Sequence, residues 1–177
     1  MTHHPHATSR FCMHCGQRLM SAIPEGDTQR RLVCLDCGFV HYINPRPVAG
    51  TIPERDDGRL LLVRRAIEPR VGTWVFPGGY MDVEETAEEA AIRETKEEAL
   101  LEVQELSLLG VYTRPGPGVV VVVYEALAFG EGAVGDETSE IAWFRPNDIP
   151  WEELAFDTTH WALRDWARRR GFPAPED

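Results

Sequence analysis

Apolar residues in this chain fall mostly in short runs split by turn signals, the pattern of a strand-rich domain. Residues 48–52 and 60–63 read as strands flanking a turn at Asp56-Asp57-Gly58. Trp74-Val75-Phe76 is a short apolar piece stopped by Pro77-Gly78-Gly79. From Thr86 to about Ala99 the period becomes helical, and Thr86-x-x-Glu89 forms a capping box that starts the helix. Residues 106–113 read as a further strand, turned by Arg114-Pro115-Gly116-Pro117-Gly118. Residues 119–129 follow, and five consecutive valines there predict a strand buried on both faces. After a short strand at 141–144, a second helix spans 157–170, with Asp157 or Thr158 as N-cap and Arg168-Arg169-Arg170 complementing the dipole at its C-terminus. Trp161 and Trp166 on that helix read as packing anchors. With no internal repeat, the expected fold class is an α/β sandwich.

The N-terminal stretch breaks this pattern. All four cysteines of the chain, Cys12, Cys15, Cys34 and Cys37, lie there as two C-x2-C pairs 18 residues apart. That spacing reads as a tetrahedral zinc site, and a glycine follows each pair (Gly16 and Gly38), suiting a tight knuckle. Four thiolates leave zinc no open position, so the site is structural, supplying the cohesion that about 40 residues cannot obtain from a core alone. Disulfides are the rival reading, disfavoured in a reducing compartment. His3, His4, His6 and His14 stand nearby, but the cysteines already complete the shell. Asn44-Pro45-Arg46-Pro47 is extended and proline-stiffened, which places the seam between a ribbon at 1–43 and a main domain at 44–177.

Composition narrows the function. The 177 residues are 43% hydrophobic and 27% charged, with a net charge of −11. No apolar run approaches the roughly 20 residues that span a bilayer, and the polar, His-rich start lacks the apolar core of a signal peptide; the expectation is a cytoplasmic protein without a membrane partner. Between residues 10 and 46, five arginines against three acids leave the ribbon at only +2, too little for a phosphate-binding face, so nucleic acid is not the expected partner. An acidic chain still accommodates a phosphorylated small molecule when metal ions or a few arginines mask the repulsion.

The position of the acid is more informative. Seven glutamates lie between residues 84 and 98, and Glu94, Glu97 and Glu98 occupy i, i+3 and i+4 on one helix face. Like charges so placed repel by a few tenths of a kcal/mol each, about what the i,i+4 rule gives; a bridging divalent cation turns that repulsion into attraction. A solvated glutamate-rich face is the plain alternative. Against it, Arg93 lies eight residues after Glu85, where the two can clamp helix to loop, and the Gly78-Gly79 turn lets the backbone approach the same helix end closely.

These residues resemble the signature of the Nudix family, G-x5-E-x7-R-E-U-x-E-E-x-G-U with U bulky and apolar. Gly79, Glu85, Arg93-Glu94, Thr95, Glu97-Glu98, Ala99, Leu100 and Leu101 match it in spacing, with the charged skeleton complete. Thr95 departs from the apolar U. Leu100 stands where the closing glycine belongs, so either that residue is strained or the helix ends differently. The resemblance implies an α/β/α sandwich with a mixed sheet, and a hydrolase acting on phosphorus-containing acid anhydrides with Mg2+ or Mn2+. It implies Glu94, Glu97 and Glu98 as metal ligands, with the carbonyl of Gly79 a further candidate, and Arg93 with Glu85 as an orienting pair. A carboxylate from a distant loop, Glu137 or Glu140, is the expected extra ligand or base, with a glutamate of the helix itself, Glu97 or Glu98, the other candidate for the base; Arg46, Arg64, Arg65, Arg70 and Arg114 are candidates for fixed positive charge.

Ribbon-bearing members suggest ADP-ribose, FAD or NADH as substrate. The S-Q-P-W-P-F-P-x-S element of the NADH pyrophosphatase branch is missing from this sequence, which moves the expectation towards ADP-ribose or FAD. A homodimer with the ribbon arm packed on a second subunit is compatible with the layout. The alternative from another class is a non-catalytic nucleotide-sensing or nucleic-acid-binding module, against which the intact glutamates and the ribbon's small charge both stand.

Overall fold

Strand alternation and two amphipathic helices organise the molecule, a computed structural model that describes residues 9–116 and 118–175. The expectations resting on His3, His4, His6 and Pro117 lie outside the described residues. Two compact units meet between Pro45 and Arg46, within the proline-stiffened passage. In the first, β1 (Leu19–Ala22), β2 (Arg31–Cys34) and β3 (Val40–His41) form an antiparallel sheet in that order.

The second unit carries β4 (Arg46–Glu54), β5 (Leu60–Arg65), β6 (Trp74–Val75), β7 (Gly78–Tyr80), α1 (Ala87–Ala99), β8 (Glu102–Thr113), β9 (Val119–Phe129), β10 (Thr138–Phe144) and α2 (Asp157–Arg169). Its sheet runs β10-β5-β4-β9-β8, with β6 added against β5 and β7 against β4. Among the strand pairs of the described residues, the central β4–β9 pair alone is parallel, which makes the sheet mixed. Alternation on β4 and β5 builds the two faces. Ile52, Leu60 and Leu62 join Trp166, Leu163 and Ala162 of α2, whereas Leu61 and Val63 join Ala99, and Ala49 joins Ala90 and Ala91 of α1. A helix on each face of the sheet is the expected α/β/α sandwich. Trp166 is fully buried and Trp161 packs partly buried against the same cluster, so both are anchors.

Several elements depart from the sequence expectations. Gly78 and Gly79 are not a turn but part of β7, paired antiparallel with Ala49 and Gly50. The glycines are required there by closeness: a Cβ on Gly50 would meet the Pro77 carbonyl at 2.5 Å, and one on Gly78 the Ala49 carbonyl at 2.8 Å. β8 begins four residues earlier than expected, its polar opening interrupted by register shifts and by a positive φ at Glu105. Helix α2 is capped by neither Asp157 nor Thr158. Its N-cap is Phe156, which has no side-chain cap, because Asp157 sits inside the first turn and pairs with Arg114 at 2.6 Å.

Candidate active site and metal centres

In the ribbon, two equivalent hairpin knuckles present the sulfurs. Gly16 N–H donates to the Cys12 carbonyl at 2.8 Å and Gly38 N–H to the Cys34 carbonyl at 2.9 Å, both glycines at φ near +75° (+77° and +75°). The four sulfurs lie within 4.8 Å of one another, with Cys12–Cys37 at 3.7 Å and Cys15–Cys34 at 3.5 Å. A tetrahedron of sulfurs each about 2.3 Å from zinc has edges of about 3.8 Å, whereas a disulfide needs about 2.05 Å. All four are free thiols, so the donor set fits a four-cysteine metal site and the disulfide reading falls. His14 contributes its backbone N–H to Cys12 Sγ at 3.4 Å, and its ring lies 6.3 Å from Phe39.

In the second unit the capping box fixes where α1 starts. Thr86 Oγ1 accepts from Glu89 N–H while the Glu89 carboxylate accepts from Thr86 N–H. Thirteen residues of helix then carry Glu94, Glu97 and Glu98 along one side. Arg93 is the hub of this surface. It holds Glu85 through two nitrogens (3.0 and 2.7 Å), Glu94 at 2.7 Å, Glu97 at 3.1 Å and the Tyr80 carbonyl at 3.1 Å. The bidentate guanidinium and the Asp82 amide hold the Glu85 carboxyl down at about 2, and the same pairing raises the arginine's own pKa. Loop and helix are thereby locked together by an ion pair that stays charged throughout the neutral range.

The glycine strand β7 runs along the C-terminal half of α1 rather than its N-terminus. Gly78 N–H donates to Glu98 at 3.0 Å, and a Cβ on Gly79 would strike the Glu94 carboxylate at 2.5 Å. Glu98 is almost fully buried; burial pushes its carboxyl up to about 7, with the charges of Glu94 and Glu137 adding and the Gly78 N–H and Arg65 opposing. Burial also raises Glu94, aided by Glu97 and Glu137 and opposed by Arg93. These hard oxygen donors, carried on one side of α1 and lining one cleft, suit a divalent cation such as Mg2+. One Arg93 nitrogen bridges Glu94 and Glu97, at 2.7 and 3.1 Å.

The expected loop carboxylates separate. Glu137 lines the cleft beside Glu94, Glu97 and Glu98, whereas Glu140 lies on β10, pairs with Arg64 at 3.4 Å and is outside the cleft lining. The arginines separate likewise: Arg65, Arg70 and Arg114 line the cleft, Arg64 is taken up by Glu140 and Glu153, and Arg46 stacks over Tyr80 at 4.2 Å. The cleft has a volume of about 780 Å³, and its wall includes Val48, Phe76, Tyr80, Val121 and Phe156, none of which sequence reasoning assigned to the site. Val48, Phe76 and Val121 sit in short apolar runs that carry the signal of core strands, so only the fold reveals that they border the cleft.

Both departures from the signature are explained. Thr95 is fully buried; its hydroxyl donates to the Ala91 carbonyl at 2.7 Å and so accepts from Thr51 Oγ1 at 2.6 Å, a cross-link from α1 to β4. Leu100 caps α1 in the left-handed region (φ 46°, ψ 40°), so the helix ends as the signature requires and the leucine carries the strain.

A helix of acidic side chains packed on a mixed sheet beside an arginine-rimmed cleft defines the class as a hydrolase of phosphate anhydrides. The chain belongs to the Nudix hydrolase family: the family described as NUDIX domain matches residues 44–167, and the one described as Nudix N-terminal, a zinc ribbon, matches residues 10–43. An "ADP-ribose pyrophosphatase" of Methanocaldococcus jannaschii is 37% identical over 121 residues, 66% of this chain and 70% of the relative. A "NAD-capped RNA hydrolase NudC" of Pseudomonas putida is 29% identical over 94% of this chain, which spans only 59% of that relative. The crystal structure of a Nudix hydrolase from Nitrosomonas europaea superposes with a TM-score of 0.84 at 37% identity, covering 95% of this chain and 97% of the other. Among the described residues no helix is long and apolar enough to cross a membrane.

Proposed function

We propose that this protein is a Mg2+-dependent pyrophosphohydrolase that cleaves the diphosphate of a nucleoside diphosphate attached to a second group, with ADP-ribose the first substrate to test. The observation that carries this reading is the meeting of Glu94, Glu97, Glu98 and Glu137 with Arg65, Arg70 and Arg114 on one cleft large enough for a dinucleotide-sized ligand. Glu94, Glu97 and Glu98, with the Gly79 carbonyl, would hold the catalytic metal. Bound there, Mg2+ or Mn2+ supplies positive charge to the diphosphate and acidifies water. Arg93 and Glu85 fix the helix side chains, the cleft arginines bind phosphate oxygens, and Glu137 takes the proton from the attacking water. The apolar wall receives the nucleoside and keeps bulk water from the reacting centre. Zinc in the ribbon is structural, and its reduced cysteines suit a cytoplasmic setting.

ADP-ribose is favoured by the methanogen relative's name and by the absence of the proline-aromatic element of NADH pyrophosphatases. A second reading, hydrolysis of NAD-capped RNA, has in its favour an alignment with the Pseudomonas relative over 94% of this chain, though over only 59% of that relative, and the ribbon's +2 charge against it. Turnover of ADP-ribose, FAD, NADH and NAD-capped RNA with Mg2+, products resolved by chromatography, separates the two. Replacing Glu98→Gln should lower kcat on the best substrate by about a thousandfold, roughly 4 kcal/mol at tenfold per 1.36 kcal/mol, with the fold intact by circular dichroism; wild-type turnover would remove the catalytic reading.

A further inference from the structure

The loop that carries Glu137 is bonded to the helix that carries the other glutamates, and it does so through the helix's own unsatisfied carbonyls. The last turn of an α-helix leaves carbonyls without intrahelical partners. In α1 they are met from the loop before β10. Ala133 N–H donates to Ala99 at 2.8 Å, Gly135 N–H to Glu98 at 3.1 Å and Asp136 N–H to Glu97 at 3.0 Å. The approach is so close that a Cβ on Gly135 would overlap the Glu97 carbonyl oxygen. Thr138, buried, closes the arrangement. Its hydroxyl lies 3.0 Å from the Glu98 carbonyl and 3.2 Å from that of Gly135, and accepts from Gly135 N–H at 3.2 Å. Between these anchors Glu137 is held at φ +62°, a conformation an L-residue adopts only under constraint, and its carbonyl is tied to Ala66 N–H at 2.8 Å.

We propose that Thr138 is a positioning residue for the reaction: its buried hydroxyl registers the loop to the end of α1 and so sets where the Glu137 carboxylate stands relative to Glu94 and Glu98. The side chain touches no reacting atom; it acts through the loop backbone. This rests on the reading of Glu137 as the base. One helix turn thus serves both carboxylate sets, since the residues whose side chains face the cleft lend their carbonyls to hold the loop opposite.

The test uses the full-length protein with Mg2+ and ADP-ribose. Thr138→Val keeps the shape and removes the hydroxyl; it should lower kcat at least tenfold while KM stays within about threefold, and Thr138→Ser should restore kcat to within about threefold of wild type. In a Glu137→Gln background Thr138→Val should cost less than twofold more. Amide hydrogen exchange at Gly135 and Asp136 should quicken in Thr138→Val and not in Thr138→Ser. Thr138→Ala carries the same expectations and stands in if the valine variant fails to fold. An undiminished kcat in the hydroxyl-less variant, the same loss with and without Glu137, or no rescue by serine overturns the positioning role. Wild-type turnover by Glu137→Gln instead overturns the base assignment, and with it this proposal, whatever Thr138 does.

Discussion

Among the described residues of the ribbon, the buried cluster is Cys12, Leu19 and Cys34, with Leu32 and Phe39 packed against it. In the Nudix domain α2 alone sends Ala162, Leu163, Trp166 and Ala167 into a core that extends through the sheet. The ribbon's handful is too few to order it by burial alone, and zinc held by the four cysteines would supply cohesion in its place. On the function proposed above, metal plays different parts in the two regions: in the ribbon it would stand in for a core, whereas in the Nudix domain a core already in place presents the carboxylates that would hold it. In the first the candidate ligands face each other from two knuckles; in the second they sit on one helix, where Arg93 bridges Glu94 and Glu97.

The comparison breaks most visibly when zinc is withdrawn. Metal analysis should give one zinc per chain. Chelation or Cys34→Ser should collapse the amide resonances of residues 10–43 while those of the Nudix domain keep their shifts; collapse of both sets, or of neither, would refute the division of labour.

Acid sharpens the contrast. Protonating four thiolates weakens the zinc site by up to about 5.5 kcal/mol per pH unit, four protons at 1.36 kcal/mol each. A site worth about 10–16 kcal/mol at neutral pH is then exhausted some two to three units lower. Glu85 behaves otherwise. Its folded pKa, near 2, lies below the ordinary 4.5, so the Arg93 clamp contributes its full stability above pH 4.5 and loses it only as pH falls towards 2. An acid titration followed by zinc release and by Nudix-domain fluorescence should show the ribbon failing first, and Glu85→Gln should shrink that separation.

The smallest effect concerns the helix end. Leu100 is left-handed and more than half exposed, so Leu100→Gly should remove about 1–2 kcal/mol of strain against about 0.5–1 kcal/mol of added backbone entropy in the unfolded chain. A net gain of about 0.5–1 kcal/mol raises Tm by roughly 2 °C, readable by calorimetry in the Nudix transition alone.

What the sequence disclosed, and what it withheld, follows the range of the interactions. The cysteine pairs, the capping box and the Glu85–Arg93 spacing are local, so residue order was enough to read them. Phe156, not Asp157, is the N-cap of α2, and Asp157 in the first turn pairs with Arg114, a partner 43 residues away in sequence. Gly78 and Gly79 looked like a turn because glycine favours turns; their reason is a neighbouring strand and a carboxylate within a bond's reach. Glu137 and Glu140 were indistinguishable in an acidic stretch, and only the pairing of β10 with β5 turned Glu140 to Arg64 and left Glu137 in the cleft. Thr95 read as a loosened core position until Thr51 was found opposite it.

The central claim is that the carboxylates of α1 hold divalent cations against a substrate's diphosphate. Mn2+ titration followed by electron paramagnetic resonance, with a non-hydrolysable ADP analogue present, tests it most directly. Wild-type protein should take up at least one Mn2+ per chain, and Glu94→Gln and Glu98→Gln should each weaken that uptake more than tenfold. Uptake unchanged by both substitutions would place the metal elsewhere and contradict the account.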